Sequence, residues 1–242
     1  MKFLLTSSGI TNDSIRRALE ELLGKRIADC TAICIPTAIY ALPGGPLDAW
    51  SLLQAFELGW KRYGMLELTA LPSLPEDCWL PDVERADAII VGGGNTGYLS
   101  YWLHASGLAE RLSHLLQNKV YVGMSAGSMM VTHSLNVNRE RLDQTGVYWD
   151  DEYDEAAPSG AGSDKTLKLV DFVIRPHLNA DYFPAVTLEN AERWAVKAGV
   201  PLYAFDDQTA LKVVNGGVEI VSEGTWKRFG TGGEASENER GG

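Results

Sequence analysis

Short apolar runs alternate with amphipathic helical segments along almost the whole chain, and this alternation limits the possible folds more than any other feature. "KFLLTSS" is apolar enough to be a buried strand. "TNDSIRRALEELLGK" follows as a helix, with an Asn/Asp cap, Ile15, Leu19, Leu22 and Leu23 on one face, and Gly24 as a stop. The rhythm then repeats. "CTAICIPTA" reads as a strand, "LDAWSLLQAFELGWKRYG" as a helix and "MLELTAL" as a strand. "DAIIVGGG", "VYVGM", "LVDFVIRPH" and "PLYAF" read as further strands, and "LAERLSHLLQNK" and "TLENAERWAVKAG" as helices. "ALKVVNGGVEIVSEGTWKRF" predicts a hairpin turning at Asn215-Gly216-Gly217. Such an order belongs to the α/β class, with a mostly parallel sheet covered by helices on both faces and a C-terminal β-hairpin.

Two segments fall outside the rhythm. "TGVYWDDEYDEAAPSGAGSD", Thr145 to Asp164, is acidic and aromatic, then rich in Gly, Ser and Pro, and reads as a long loop. The tail "TGGEASENERGG", residues 231–242, is polar and expected to be disordered. Neither marks a boundary, so residues 1–230 read as one α/β domain. A length of 242 residues with 45% hydrophobic composition supports a core that needs no disulfides.

Charge narrows the choice of partners. Lys plus Arg is 21 and Asp plus Glu is 32, a net charge of −11. Such a surface repels phosphate backbones and anionic membranes, so neither nucleic acid nor a membrane is expected as a partner. The N-terminal apolar run is too short for a signal peptide and no segment could span a bilayer, which makes the cytoplasm the expected compartment. Cys30, Cys34 and Cys78 form no CxxC pair; each reads as a buried structural residue, and no metal site is expected.

Ligands of parallel α/β sheets bind beyond the carboxyl ends of the strands. The polar clusters predicted there are "GGGNTG" (Gly92–Gly97), "GMSAG" (Gly123–Gly127), "RPH" (Arg175–His177) and "FDDQT" (Phe205–Thr209). "GMSAG" fits the G-x-S-x-G nucleophile elbow, in which a serine sits on a strained strand-to-helix turn between small neighbours. The same letters also suit an ordinary tight turn. "GGGNTG" lacks the spacing of a dinucleotide fingerprint and the Lys-Ser/Thr of a P-loop. It fits either a tight connection or a glycine loop whose N–H groups face the serine as half of an oxyanion hole. His104, His114 and His133 read as surface or packing residues. His177 ends an apolar strand, where it could meet both Ser125 and an aspartate of the Asp206-Asp207 pair.

"VGGGNT", "GMSAGS", "RPH" and "DDQTA", in that order, closely resemble the motif series of the dipeptidase E family of serine peptidases. The family includes aspartyl dipeptidases and relatives similar to cyanophycinase, and the resemblance runs from about Met1 to Phe229. It implies a flavodoxin-like sheet similar to class I glutamine amidotransferases, with Ser125 as nucleophile and His177 as general base. The acid falls on Asp207, with Asp206 as competitor, since only one of two adjacent strand residues can face His177. The oxyanion hole implied comprises the Ala126 N–H and an N–H from Gly93 or Gly94, with Asn95 and Thr96 beside the substrate backbone.

The implied activity is that of a serine exopeptidase, cleaving short peptides or amino-acid-derived substrates through an acyl-enzyme without a cofactor. Hydrolysis of another amide or ester on the same scaffold is the alternative, and a non-catalytic binding protein the less favoured one. Arg175, two residues before His177 and so on the same strand face, could hold an acidic substrate side chain. The acidic loop, if it closed over the site, would instead favour a cationic or free-amine end. The chain could also act as a homodimer.

Overall fold

The computed structural model describes residues 1–42, 44–45, 50–135, 149–150, 155–156 and 163–231. The chain opens with β1 (Lys2–Thr6), α1 (Asp13–Leu23), β2 (Thr31–Ile35), α2 (Trp50–Glu57) and β3 (Arg62–Met65). It continues through α3 (Leu80–Arg85), β4 (Ala88–Val91), α4 (Thr96–Ala105), α5 (Leu108–Leu115), β5 (Val120–Met124) and α6 (Ala126–Met129). The short strands β6 (Trp149–Asp150) and β7 (Glu155–Ala156) pair with each other. Then follow β8 (Val173–Arg175), α7 (Leu188–Ala198), β9 (Leu202–Phe205), β10 (Thr209–Val214), β11 (Gly217–Ser222) and β12 (Trp226–Phe229).

Seven strands form the main sheet in the order β11-β10-β1-β5-β4-β2-β3. The five from β1 to β3 in that order run parallel, while β10 and β11 are antiparallel additions beside β1. Alternation along each parallel strand supplies two apolar faces. Phe3, Leu5, Ile89, Val91 and Tyr121 pack on one side with Leu99, Leu103, Leu108 and Leu112 of α4 and α5. Leu4, Ile90 and Val122 pack on the other with Ile15, Leu19 and Leu22 of α1. The expected cap of α1 is present: the Asn12 side chain accepts from the Ile15 N–H at 2.9 Å, and Gly24 ends the helix at φ 70°. The hairpin turns through Asn215 and Gly216, both at positive φ, the backbone a two-residue primed turn requires.

Several local readings differ from the sequence expectation. β3 lies earlier than "MLELTAL", and Leu68–Ser73 forms a 3₁₀ helix, begun by the Glu67 side chain accepting from the Thr69 N–H. Cys30 and Cys34 are buried, whereas Cys78 is exposed. The strands that bring His177 and Asp207 do not extend the main sheet. β8, β9 and β12 form a sheet of their own, order β12-β9-β8, with β8 and β9 parallel. The cause is geometric: β10 occupies the free edge of β1. β8 and β9 instead bury Val173, Leu202 and Ala204 with Ala191 and Ala195 of α7. The greater part of the acidic loop and the tail from residue 232 lie outside the described residues. Among the described residues, no helix is long and apolar enough to cross a membrane.

Candidate active site

The site forms where the carboxyl ends of β1, β4 and β5 meet the ends of β8 and β9. β5 runs into Ser125, whose backbone (φ 49°, ψ −113°) lies in a region costly for a residue with a Cβ, on the order of 1–3 kcal/mol. The next residues start α6. The neighbouring chain holds this turn. The Ser125 N–H donates to the Thr6 carbonyl at 3.0 Å, the Ser128 hydroxyl donates to the same carbonyl at 2.7 Å, and the Tyr121 hydroxyl donates to the Gly127 carbonyl at 2.6 Å.

The two glycines of this turn are there for space. A Cβ on Gly123 would lie 2.6 Å from Ser128 Cα, and one on Gly127 would lie 2.0 Å from the Val91 carbonyl oxygen. Neither neighbour can yield, because both are backbone. On the β4 side, a Cβ on Gly93 would stand 3.1 Å from Ser125 Cβ, so the glycine loop runs directly along the serine. Gly94 sits at φ 133° with Ala38 backbone against it, a position open only to glycine. Among the described residues, no acceptor takes the N–H of Gly93, Gly94 or Ala126.

His177 faces this turn from the second sheet. Its Nε2 is 2.8 Å from Ser125 Oγ and its Nδ1 is 2.8 Å from Asp207 Oδ1. An ionised carboxylate only accepts, so Nδ1 carries the proton and Nε2 is left to accept from the Ser125 hydroxyl. Both Ser125 and His177 are 6% exposed. The His177 ring is held against Phe183, centroids 4.7 Å apart, and against the edge of Tyr182.

Asp207, and not Asp206, reaches the histidine. Asp206 turns the other way, where its carboxylate accepts from the Gln208 N–H, the Thr209 hydroxyl and the Thr225 N–H. Burial pushes the Asp207 carboxyl up, but hydrogen bonds from His177, Ser7 and Tyr182, together with the charge of His177, outweigh burial and hold it well below the usual carboxylate range.

Ser7 and Tyr182 were not among the sequence candidates. The Ser7 hydroxyl donates to Asp207 Oδ1 at 2.5 Å and the Tyr182 hydroxyl donates to Oδ2. Ser7 is the first serine after the strand part of "KFLLTSS", at the same carboxyl edge as the other clusters, and that position was the available signal. Tyr182 lies in the irregular stretch after His177, where no periodicity points to it.

The remaining candidates are placed differently. Asn95 is buried and caps α4, its Oδ1 accepting from the Tyr98 N–H at 2.8 Å; Thr96 is fully buried in the first turn. Arg175 is 2% exposed, with its guanidinium 4.7 Å above the Trp194 ring of α7. It differs from the strand-face expectation because β8 ends at Arg175 and His177 has φ 64°, which breaks the i, i+2 alternation. His104 is a packing residue, its Nδ1 2.8 Å from the Ser100 carbonyl.

Residues 3–221 match the model of Peptidase family S51. A peptidase E of Nostoc sp. (strain PCC 7120) is 24% identical over 161 residues, which cover 64% of this chain and 60% of that relative's length. A Listeria monocytogenes EGD-e protein assigned to peptidase E has a similar solved structure, with a TM-score of 0.67 at 21% identity over 91% of this chain and 98% of that one. A peptidase from an acI-B1 Actinobacterium gives a TM-score of 0.63 at 19% identity, over 96% and 91% of the two chains. At those identities the solved structures speak for the fold, and they share the mixed α/β architecture described above.

Proposed function

The chain belongs to peptidase family S51, a family of serine-type peptidases, and from that membership we propose that it hydrolyses short peptides through an acyl-enzyme on Ser125. The observation that carries this reading is the unbroken path from Ser125 Oγ to His177 Nε2 and from His177 Nδ1 to Asp207 Oδ1, 2.8 Å at each step.

In this reading Ser125 Oγ attacks the scissile carbonyl carbon while its proton passes to His177 Nε2. Asp207, held below the usual carboxylate range and so ionised at neutral pH, stabilises the imidazolium and keeps the proton on Nδ1. The oxyanion of the tetrahedral intermediate accepts from the Ala126 N–H and from Gly93 or Gly94. Collapse breaks the C–N bond, and Nε2 returns the proton to the leaving amine. Water then attacks the acyl-enzyme with His177 again as base, releasing the acid and restoring Ser125. The scheme draws on no metal or organic cofactor.

The recess of Ser125 and His177 favours short chains over folded proteins as substrates. Arg175 lies against Trp194, so we assign it no part in choosing a substrate side chain. The test is a library of free dipeptides offered beside simple esters and isopeptides, with the wild type and Ser125→Ala. The expected result is release of amino acids from a subset of dipeptides by the wild type and none by the variant. Undiminished turnover by Ser125→Ala would end the proposal. Cleavage confined to esters or isopeptides would move the activity to another substrate class.

A further inference from the structure

Ser125 belongs to the main sheet, while His177 and Asp207 follow strands of the second one. Alignment of Oγ with Nε2 therefore depends on how the two sheets register at this point. Ser7, fully buried at the end of β1, spans the junction. Its oxygen accepts the His177 backbone N–H at 2.8 Å, its proton goes to Asp207 Oδ1 at 2.5 Å, and it stands 3.1 Å from His177 Nδ1. Tyr182 closes the opposite side, donating to Asp207 Oδ2 with its oxygen 3.2 Å from Nδ1.

We propose that Ser7 and Tyr182 are positioning residues of the hydrolytic reaction, a two-hydroxyl clamp that fixes the Asp207 carboxylate and, through Ser7, the backbone of His177. The inference rests on the Ser125–His177–Asp207 reading above. A carboxylate held by one N–H alone can turn about its last torsion and present either oxygen. With a hydroxyl on each oxygen its plane is set, and Oδ1 stays opposite Nδ1. His177 has a positive φ (64°), and its N–H at the end of β8 is taken by Ser7. Ser7 thus holds both the orientation of the acid and the backbone that aims the base. A second tie between the sheets, the Thr11 hydroxyl donating to the Asp207 carbonyl at 2.7 Å, fixes the main chain of the acid but not its carboxylate.

The experiment measures kcat and KM for the best dipeptide in Ser7→Ala and Tyr182→Phe, each alone and combined with Asp207→Ala. Each single variant should lose roughly ten- to a hundredfold in kcat, the weight of one hydrogen bond to a charged group. KM should stay within about threefold, since neither hydroxyl is assigned to substrate. In the Asp207→Ala background Tyr182→Phe should alter kcat by less than about twofold, because its hydroxyl has nothing left to hold, and Ser7→Ala should keep only the smaller part of its loss that comes from the His177 backbone. Full kcat in both single variants, or equal losses with and without Asp207, overturns the proposal. If Ser7→Ala does not fold, Tyr182→Phe carries the test, as it removes one oxygen from a largely exposed residue and keeps the ring. Fully active clamp variants beside an inactive Ser125→Ala would sink this inference alone. An active Ser125→Ala would sink the reading beneath it.

Discussion

Replacing Asp207 by asparagine takes one charge from the site and leaves its shape. In the proposed mechanism, proton transfer from Ser125 creates an imidazolium beside a carboxylate whose oxygen is 2.8 Å from Nδ1. With the charge centres about 4 Å apart and an effective dielectric constant of about 20, that attraction amounts to about 4 kcal/mol, or roughly a thousandfold in rate. The Asp207 side chain is 27% exposed, and screening brings the lower bound to roughly a hundredfold. Geometry adds to the loss. Both carboxylate oxygens accept from hydroxyls, but an amide has one acceptor, so one of Ser7 and Tyr182 must give up its bond. If the amide nitrogen faces His177, the proton is forced onto Nε2 and the base is blocked. The assay is kcat/KM on a responsive dipeptide, with the melting temperature as a check on folding and Asp206→Asn as the comparison. The Asp206 carboxylate bonds its own turn and the Thr225 N–H before β12, away from His177, so its variant should lose on the order of 1–3 kcal/mol of stability and keep kcat within a few-fold. A loss below about tenfold for a folded Asp207→Asn, or a greater loss for Asp206→Asn, would refute the reasoning.

Other consequences can be measured on the same footing. Asp207 has a folded-state pKa below its unfolded value, so its contribution to stability is complete above the ordinary carboxylate pKa of about 4 and is lost as pH falls below that. The gap in melting temperature between wild type and Asp207→Asn should therefore narrow as pH drops from about 6 to about 3, and a constant gap would contradict this. Gly127→Ala places a Cβ 2.0 Å from a backbone oxygen of β4 and should cost about 3 kcal/mol of unfolding free energy or abolish folding; a variant of wild-type stability would mean the turn is not as described. Asn12→Ala removes the α1 cap and its bonds to Gln208, and should cost about 1 kcal/mol with no change in kcat, read from urea unfolding and turnover together.

Much of this arrangement can be read in the residues themselves. "DAIIVGGG" and "VYVGM" are apolar on both faces because β4 and β5 lie between two helical layers, and runs of that kind survive any error in their boundaries. "GMSAG" reveals a tight strand-to-helix turn because no residue larger than glycine fits at positions 123 and 127. Long-range pairing is not visible in the same way. "LVDFVIRPH" and "PLYAF" look like any other buried strands, and nothing local says that β10 would fill the edge beside β1 and send them into a second sheet. Period-two reasoning left Asp206 and Asp207 open, since it says that adjacent residues diverge without saying which way. The same rule misplaced Arg175, because it assumes a strand that continues to His177, where the backbone has already left it. Ser7 and Tyr182 act through contacts spanning 200 and 25 positions in sequence, which no local pattern encodes.

The most direct test of the central claim is to follow the protein mass after exposure to a small serine-directed organophosphonate. The account predicts one phosphonyl group per chain, located on the peptide that contains Ser125, with loss of peptide hydrolysis in proportion to labelling and no adduct on Ser125→Ala. Hydrolysis that persists in fully labelled protein, or an adduct on a different residue that tracks the loss of activity, would contradict it.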